Sequence, residues 1–114
     1  MSGPRDKVIL LGSEGIGGGD DILGYEILLA MTEALSERDH GLKAIVCWNT
    51  AVKLLAEGSP LVPHFRRLEE KGVTILAGQL CVRELGLMGK IAAGKMAAMD
   101  TILDVILNNS VISL

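Results

Sequence analysis

Short, mostly apolar runs, each closed by glycine or a polar residue, repeat along this chain with helix-length segments between them. Residues 7–12 read Lys-Val-Ile-Leu-Leu-Gly, 44–48 Ala-Ile-Val-Cys-Trp, 73–77 Val-Thr-Ile-Leu-Ala and 111–114 Val-Ile-Ser-Leu. Such runs have no regular polar face to offer water, so they predict strands buried on both sides. Strands of that type pair in parallel and are covered by the helices that connect them. The expected fold class is therefore α/β, a doubly wound parallel sheet. At 114 residues the chain is read as one domain, 1–114.

The connecting segments carry helix signals. Asp20 and Asp21 stand where a short side-chain oxygen accepts from orphan backbone N–H groups. Leu23, Ile27, Met31 and Leu35 then recur every four residues, the expected buried stripe of that helix. Asn49 and Thr50 are expected to cap a short helix running through Glu57, with Gly58 ending it. Ser59 and Pro60 restart a helix, serine as N-cap and proline at the first position, with Leu61, Phe65 and Leu68 inward. A loop, Gly78-Gln79-Leu80, leads from the third strand to Cys81 and a short helical stretch. Residues 86–94 are punctuated by glycine and carry no assignable period. The spacing predicts a last helix over 95–108, with Met99, Leu103 and Ile106 inward.

Only 3% of the residues are aromatic, so the core must be aliphatic. The mean hydropathy, +0.41, is high for a small monomer. Either a sheet buried on both faces accounts for it or another subunit covers apolar surface. The net charge is −3 and there is no basic stripe, which argues against nucleic acid as a partner. The opening Met1-Ser2-Gly3-Pro4-Arg5-Asp6 lacks the apolar core of a signal peptide, and no apolar run approaches the ~20 residues that span a bilayer. A cytoplasmic protein with no membrane contact is expected. Two cysteines in such a chain do not form a disulfide framework.

In parallel sheets, ligands gather outside the carboxyl ends of the strands. That rule selects the turn at 13–21, the end of the second strand at 48–50, and 78–81. The positions it marks for ligand binding are Gly15, Gly17 and Gly18, Asn49, and Gly78. The glycine-rich turn is not a P-loop, because Gly17 is followed by Gly18 and Gly19 rather than Lys and Ser/Thr. A dinucleotide fingerprint would want glycine where Asp20 stands, and the acidic pair repels phosphate. A tight turn capped by Asp20 and a ligand loop are both open readings; Mg²⁺ at Asp20 and Asp21 is a third. Cys81 follows a strand and is expected to open a helix, where free N–H groups favour a thiolate. The alternative is a small apolar filler. Cys47, inside an apolar strand, reads as core filler, with a Cys47–Cys81 bridge as the alternative. His40 and His64 lack ligand spacing to the cysteines, so no metal site and no cofactor are expected, and both histidines are read as surface residues.

Several stretches together resemble a known family. Gly15-Ile16-Gly17-Gly18-Gly19-Asp20-Asp21-Ile22-Leu23-Gly24 is similar to the first loop of DsrE-like domains. So are Trp48-Asn49-Thr50-Ala51-Val52-Lys53-Leu54, Glu57-Gly58-Ser59 and Leu68-Glu69-Glu70-Lys71-Gly72-Val73, in the same order. The nearest resemblance is to the DsrE-like domain of YedF proteins, which are sulfurtransferase-like and associated with selenium metabolism. The resemblance implies a three-layer α/β/α domain with a parallel sheet of four or five strands, in a homo- or hetero-oligomer. It implies a sulfur relay in which a cysteine after the third strand carries sulfane sulfur as a persulfide, and Cys81 matches that position. YedF proteins often have a further cysteine three positions earlier; here Gly78 stands there. They also usually carry a preceding TusA-like domain, which this sequence does not show. The implied partner is thus a separate TusA-like sulfur carrier, or the sequence is an excised piece of a longer one. Two other readings compete with sulfur transfer: a non-catalytic oligomerising subunit, and a small-ligand domain using the glycine-rich loop.

Overall fold

The structure, a computed structural model, describes residues 6–114. The opening residues 1–5, part of the stretch read above as lacking a signal-peptide core, lie outside it. The apolar runs form strands β1 (Lys7–Leu11), β2 (Leu42–Cys47), β3 (Thr74–Gly78) and β5 (Ser110–Ser113), and a short strand β4 (Lys95–Ala97) joins them. All pairings between these strands are parallel, and the order across the sheet is β4-β3-β2-β1-β5. The chain lays down β1 to β4 in one direction, then returns to the far side of β1 for its last strand. The α/β expectation holds, with five strands.

Period-two alternation divides the strand residues between the two faces. Ile9, Leu11, Ile45, Cys47, Ile75 and Ala77 point into the larger core, which holds Leu28 of helix α1 (Asp21–Glu37) and Phe65 and Leu68 of helix α2 (Val62–Glu70). Val8, Ala44, Val46 and Leu76 point the other way, toward a smaller core closed by Ile102 of helix α4 (Met99–Leu107). The two layers are unequal, and the thin one leaves apolar surface exposed. Met99, Leu107 and Ile112, for example, are 52%, 77% and 44% exposed. Among the described residues no helix is long and apolar enough to cross a membrane.

The stripe expected on α1 is rotated by one residue. Gly24, Leu28, Thr32 and Ser36 are buried, whereas Leu23 and Ile27 are exposed and Met31 and Leu35 sit at the core margin. The cause is a backbone contact. A Cβ on Gly24 would lie 2.9 Å from the Ile16 carbonyl oxygen, so the glycine lets α1 press against the preceding loop and fixes its rotation. The hydroxyl of Thr32 remains satisfied there, donating to the Leu28 carbonyl at 2.7 Å.

The predicted last helix begins too early. Residues 95–97 pair with β3 as β4, and α4 starts at Met99. Its buried residue is Ile102; Met99 and Leu103 are exposed and Ile106 is half-buried. The Ser59–Pro60 start also moves. Ser59 Oγ accepts from the Leu61 N–H at 3.2 Å in a turn, and α2 itself opens at Val62, with Pro63 in its first turn. Leu61, Phe65 and Leu68 are buried as expected. His40 is not a free surface group: its Nδ1 accepts from the Leu42 N–H at 3.2 Å.

Candidate functional site

The carboxyl ends of β1, β2 and β3 open onto two separate cavities. Beyond β1 the glycine-rich loop is pinned by its own backbone. The Ile16 N–H donates to the Gly24 carbonyl at 3.2 Å, and the Gly24 N–H to the Asp20 carbonyl at 2.8 Å. Asp20 caps α1 as predicted, its carboxylate accepting from the Leu23 N–H at 2.8 Å. Gly17 and Gly18 take positive φ values, 96° and 68°, which L side chains rarely adopt. This loop lines a cavity of about 750 Å³ that includes Gly15, Gly18, Tyr25 and Thr50. Glu14, Asp20, Asp21 and Glu26 also line it, with no basic residue lining it among the described residues. Such a wall disfavours phosphate and other anions. Gly17 is not among the lining residues.

Beyond β2 and β3 lies a second cavity, about 570 Å³, and it holds Cys81. Register brings its parts together. Cys47 pairs with Ala77 across the ladder, so the next residues, Trp48 and Gly78, stand side by side where β2 ends. Trp48 ends its strand by donating its N–H to the Leu11 carbonyl at 3.1 Å. A 3-10 helix, Asn49–Leu55, follows, with no side-chain cap. Asn49 does not cap it; it takes a left-handed conformation, φ 52°, the one positive φ at a non-glycine among the described residues. Asparagine tolerates that conformation better than most residues. The bend aims the Asn49 N–H at Cys81 Sγ, 3.0 Å away. Backbone in a sparsely populated region that directs a donor at a nucleophile is typical of functional sites.

Cys81 lies in the first turn of helix α3 (Gln79–Glu84) rather than after a loop, because the helix begins directly from β3. Gly78 occupies its N-cap position and offers no side chain to its first amides. A Cβ on Gly78 would stand 3.4 Å from Trp48 Cβ and 3.5 Å from Cys81 Sγ, so the glycine leaves the sulfur lying against bare backbone. The walls are apolar: Trp48, Leu80, Leu85, Ala97, Met99 and Ile102. Asn49, Gln79 and Glu84 are the polar lining residues besides the thiol.

The two cysteines have different chemistry. Both are free, so no bridge joins them. Cys47 is fully buried, and burial pushes its thiol up to about 12. Cys81 is half-buried at a cavity wall, with an amide donor on its sulfur. Among the described residues no group of three or more His, Cys, Asp or Glu is placed to hold a metal ion.

The sequence-predicted positions thus divide. Asn49, Gly78 and Cys81 meet in one cavity, Gly15 and Gly18 line the other, and Gly17 lines neither. Sequence reasoning missed Glu84 and Leu85, although their spacing of three and four residues from Cys81 on one helix would have found them. It also missed Met99 and Ile102, which only the pairing of β4 beside β3 brings to the thiol.

No protein-family model matches the chain, and no curated protein matches it in sequence. Solved structures do. The ychN protein from E. coli superposes with a TM-score of 0.65 at 13% identity, over 96% of this chain and 99% of that one. BT1422 from Bacteroides thetaiotaomicron, described as a conserved protein of unknown function, gives 0.65 at 22% identity, over 96% of each chain. MTH1491 from Methanobacterium thermoautotrophicum, also of unknown function, gives 0.66 at 14% identity, over 95% of this chain and 97% of that one. The fold is DsrE-like. Likeness at these identities establishes the architecture and assigns no activity.

Proposed function

We propose that this chain is a sulfur-handling, sulfurtransferase-like protein that carries sulfane sulfur as a persulfide on Cys81. The observation that carries the reading is the Asn49 N–H aimed at Cys81 Sγ, 3.0 Å away, at the wall of an apolar cavity. In the proposed step the Cys81 thiolate attacks the outer sulfur of a donor persulfide, R–S–SH. The new S–S bond forms as the donor's S–S bond breaks, and R–S⁻ leaves with the electron pair. The proton stays on the transferred sulfur, and there is no net oxidation. Attack by an acceptor thiolate on the same outer sulfur returns Cys81. Because Gly78 replaces the second cysteine of a Cys-x-x-Cys pair, the sulfur leaves to another molecule rather than to an internal thiol. The proposal includes a TusA-like carrier as that molecule, a cytoplasmic location, one domain over 1–114, and selenium as an alternative cargo with the same chemistry.

The test is uptake of sulfur from a persulfide donor, followed by intact mass. Wild-type protein gains roughly 32 Da, one sulfur, and the Cys81→Ser variant gains nothing. Equal uptake by the variant sinks the reading.

A second reading, an oligomerising subunit, is favoured by the thin layer over α4 and β5. Met99, Leu107, Val111 and Ile112 are exposed there on neighbouring elements. A homo-oligomer that covers this surface is compatible with sulfur transfer, and sedimentation of the purified chain tests it. A single species at the monomer mass would remove it.

A further inference from the structure

We infer that the Cys81 cavity is a charge filter set by Glu84, and that its sulfur donor is a persulfide on a neutral or cationic, apolar-flanked carrier. Small anionic sulfur compounds are disfavoured. This rests on the sulfur-carrier reading of the same site.

Three observations converge. Among the described residues Glu84 is the sole ionisable one lining the cavity apart from the thiol. It stands three residues after Cys81 on α3, a spacing that brings the two side chains to the same side of the helix. The other walls are low-dielectric side chains, Trp48, Leu80, Leu85 and Met99 among them, and such walls focus a single charge instead of screening it. The cations nearest in sequence, Arg83, Lys90 and Lys95, are not among the lining residues, so none of them stands beside the carboxylate at the cavity wall. An incoming thiosulfate, or a persulfide on an acidic carrier, therefore meets like charge at the moment its sulfur approaches Cys81. A donor with an ammonium group meets attraction.

The mechanism of transfer is unchanged: the thiolate takes the outer sulfur, and the carrier thiolate leaves with the electron pair. Glu84 has no part in bond making. It acts on the approach of the donor, so its removal changes selectivity rather than the ability to hold sulfur.

The experiment uses two persulfides of similar size, on cysteamine (cationic) and on 3-mercaptopropionate (anionic), with loading of Cys81 read by intact mass. Rates are normalised to those of a small free thiol. Wild type loads from the cationic donor about fivefold faster at low salt, and the ratio falls toward one at high salt. Glu84→Gln removes most of the preference, and Glu84→Lys reverses it, while both variants still load fully. Glu84 is exposed, so neither substitution threatens the fold. A wild-type ratio near one, or a ratio that Glu84→Gln leaves unchanged, overturns the filter while leaving the carrier reading standing. Failure of both donors to load wild type overturns the carrier reading, and the donor assignment with it. Charged methanethiosulfonates then read the filter separately, since each leaves a disulfide on Cys81 as methanesulfinate departs.

Discussion

The two cavities at the strand ends share a sheet edge and little else. The cavity under the glycine-rich loop is built from backbone: two close glycine contacts, two positive-φ residues and an aspartate cap hold it, and four carboxylates line it. The Cys81 cavity is built from side chains of elements far apart in sequence, and it holds one thiol, one carboxylate and an apolar wall. The glycine-rich motif is the more conspicuous in the sequence, yet its wall is unsuited to the anions that such loops usually cradle. The less conspicuous cysteine sits where a donor amide, a bare backbone floor and open volume coincide. Glycine density marks where a chain must bend, and the chemistry proposed for this chain is elsewhere.

The largest expected difference is between the cysteines themselves. At neutral pH Cys81 should alkylate at least about a hundredfold faster than Cys47 in the native protein, because only thiolates react and burial keeps Cys47 protonated. Peptide mass mapping after iodoacetamide checks this, and comparable labelling would erase the contrast. The pH dependence has a defined sign. Cys47 ordinarily ionises at 9.0 and is raised to about 12 in the fold, so the unfolded chain releases its proton first. Its contribution to stability is present below pH 9.0 and is lost as pH rises toward about 12. Denaturant midpoints across that window should fall with pH in wild type and fall less in Cys47→Ala.

Next in size is Gly24→Ala. A Cβ 2.9 Å from the Ile16 carbonyl must displace backbone, and the strain outweighs alanine's better helix propensity by about 1–2 kcal/mol. Chemical denaturation reads the loss, and the alkylation rate of Cys81 stays at the wild-type value. A change at Cys81 would mean that the cavities are coupled. The smallest effect is expected for Asn49→Val. A β-branched residue resists φ near 52°, so the N–H turns away from the sulfur and Cys81 reactivity falls about fivefold. Asn49→Gly, which accepts that conformation, restores the rate. An unchanged rate in Asn49→Val would show that the amide contributes nothing.

What the sequence discloses follows from what each element depends on. The strands were legible because burial on both faces leaves an unbroken apolar run, and the three α/β/α layers follow from their alternation with helices. The α1 stripe was misplaced by one residue because Leu23 and Ile27 satisfy a helical period, while the rotation is set by Gly24 against the loop, a contact that no periodicity encodes. Strand β4 was absorbed into a helix because three residues carry no period, and its pairing with β3 is a tertiary choice. At the site, Cys81, Asn49 and Gly78 were each marked by position at a strand end. Their convergence, and the exclusion of Gly15 and Gly18 from the same cavity, depends on where the 3-10 helix turns.

The Asn49–Cys81 contact spans 32 residues of sequence, and it makes one backbone amide a spectator of the sulfur's chemical state. A proton shared with sulfur resonates at a frequency that depends on whether that sulfur is a thiol, a persulfide or a mixed disulfide. In a two-dimensional ¹H–¹⁵N spectrum the Asn49 cross-peak would move with each such change, while amides of the glycine-rich loop kept their places. The fold carries an intrinsic reporter of the sulfur's state, installed by the parallel register together with the left-handed bend at Asn49.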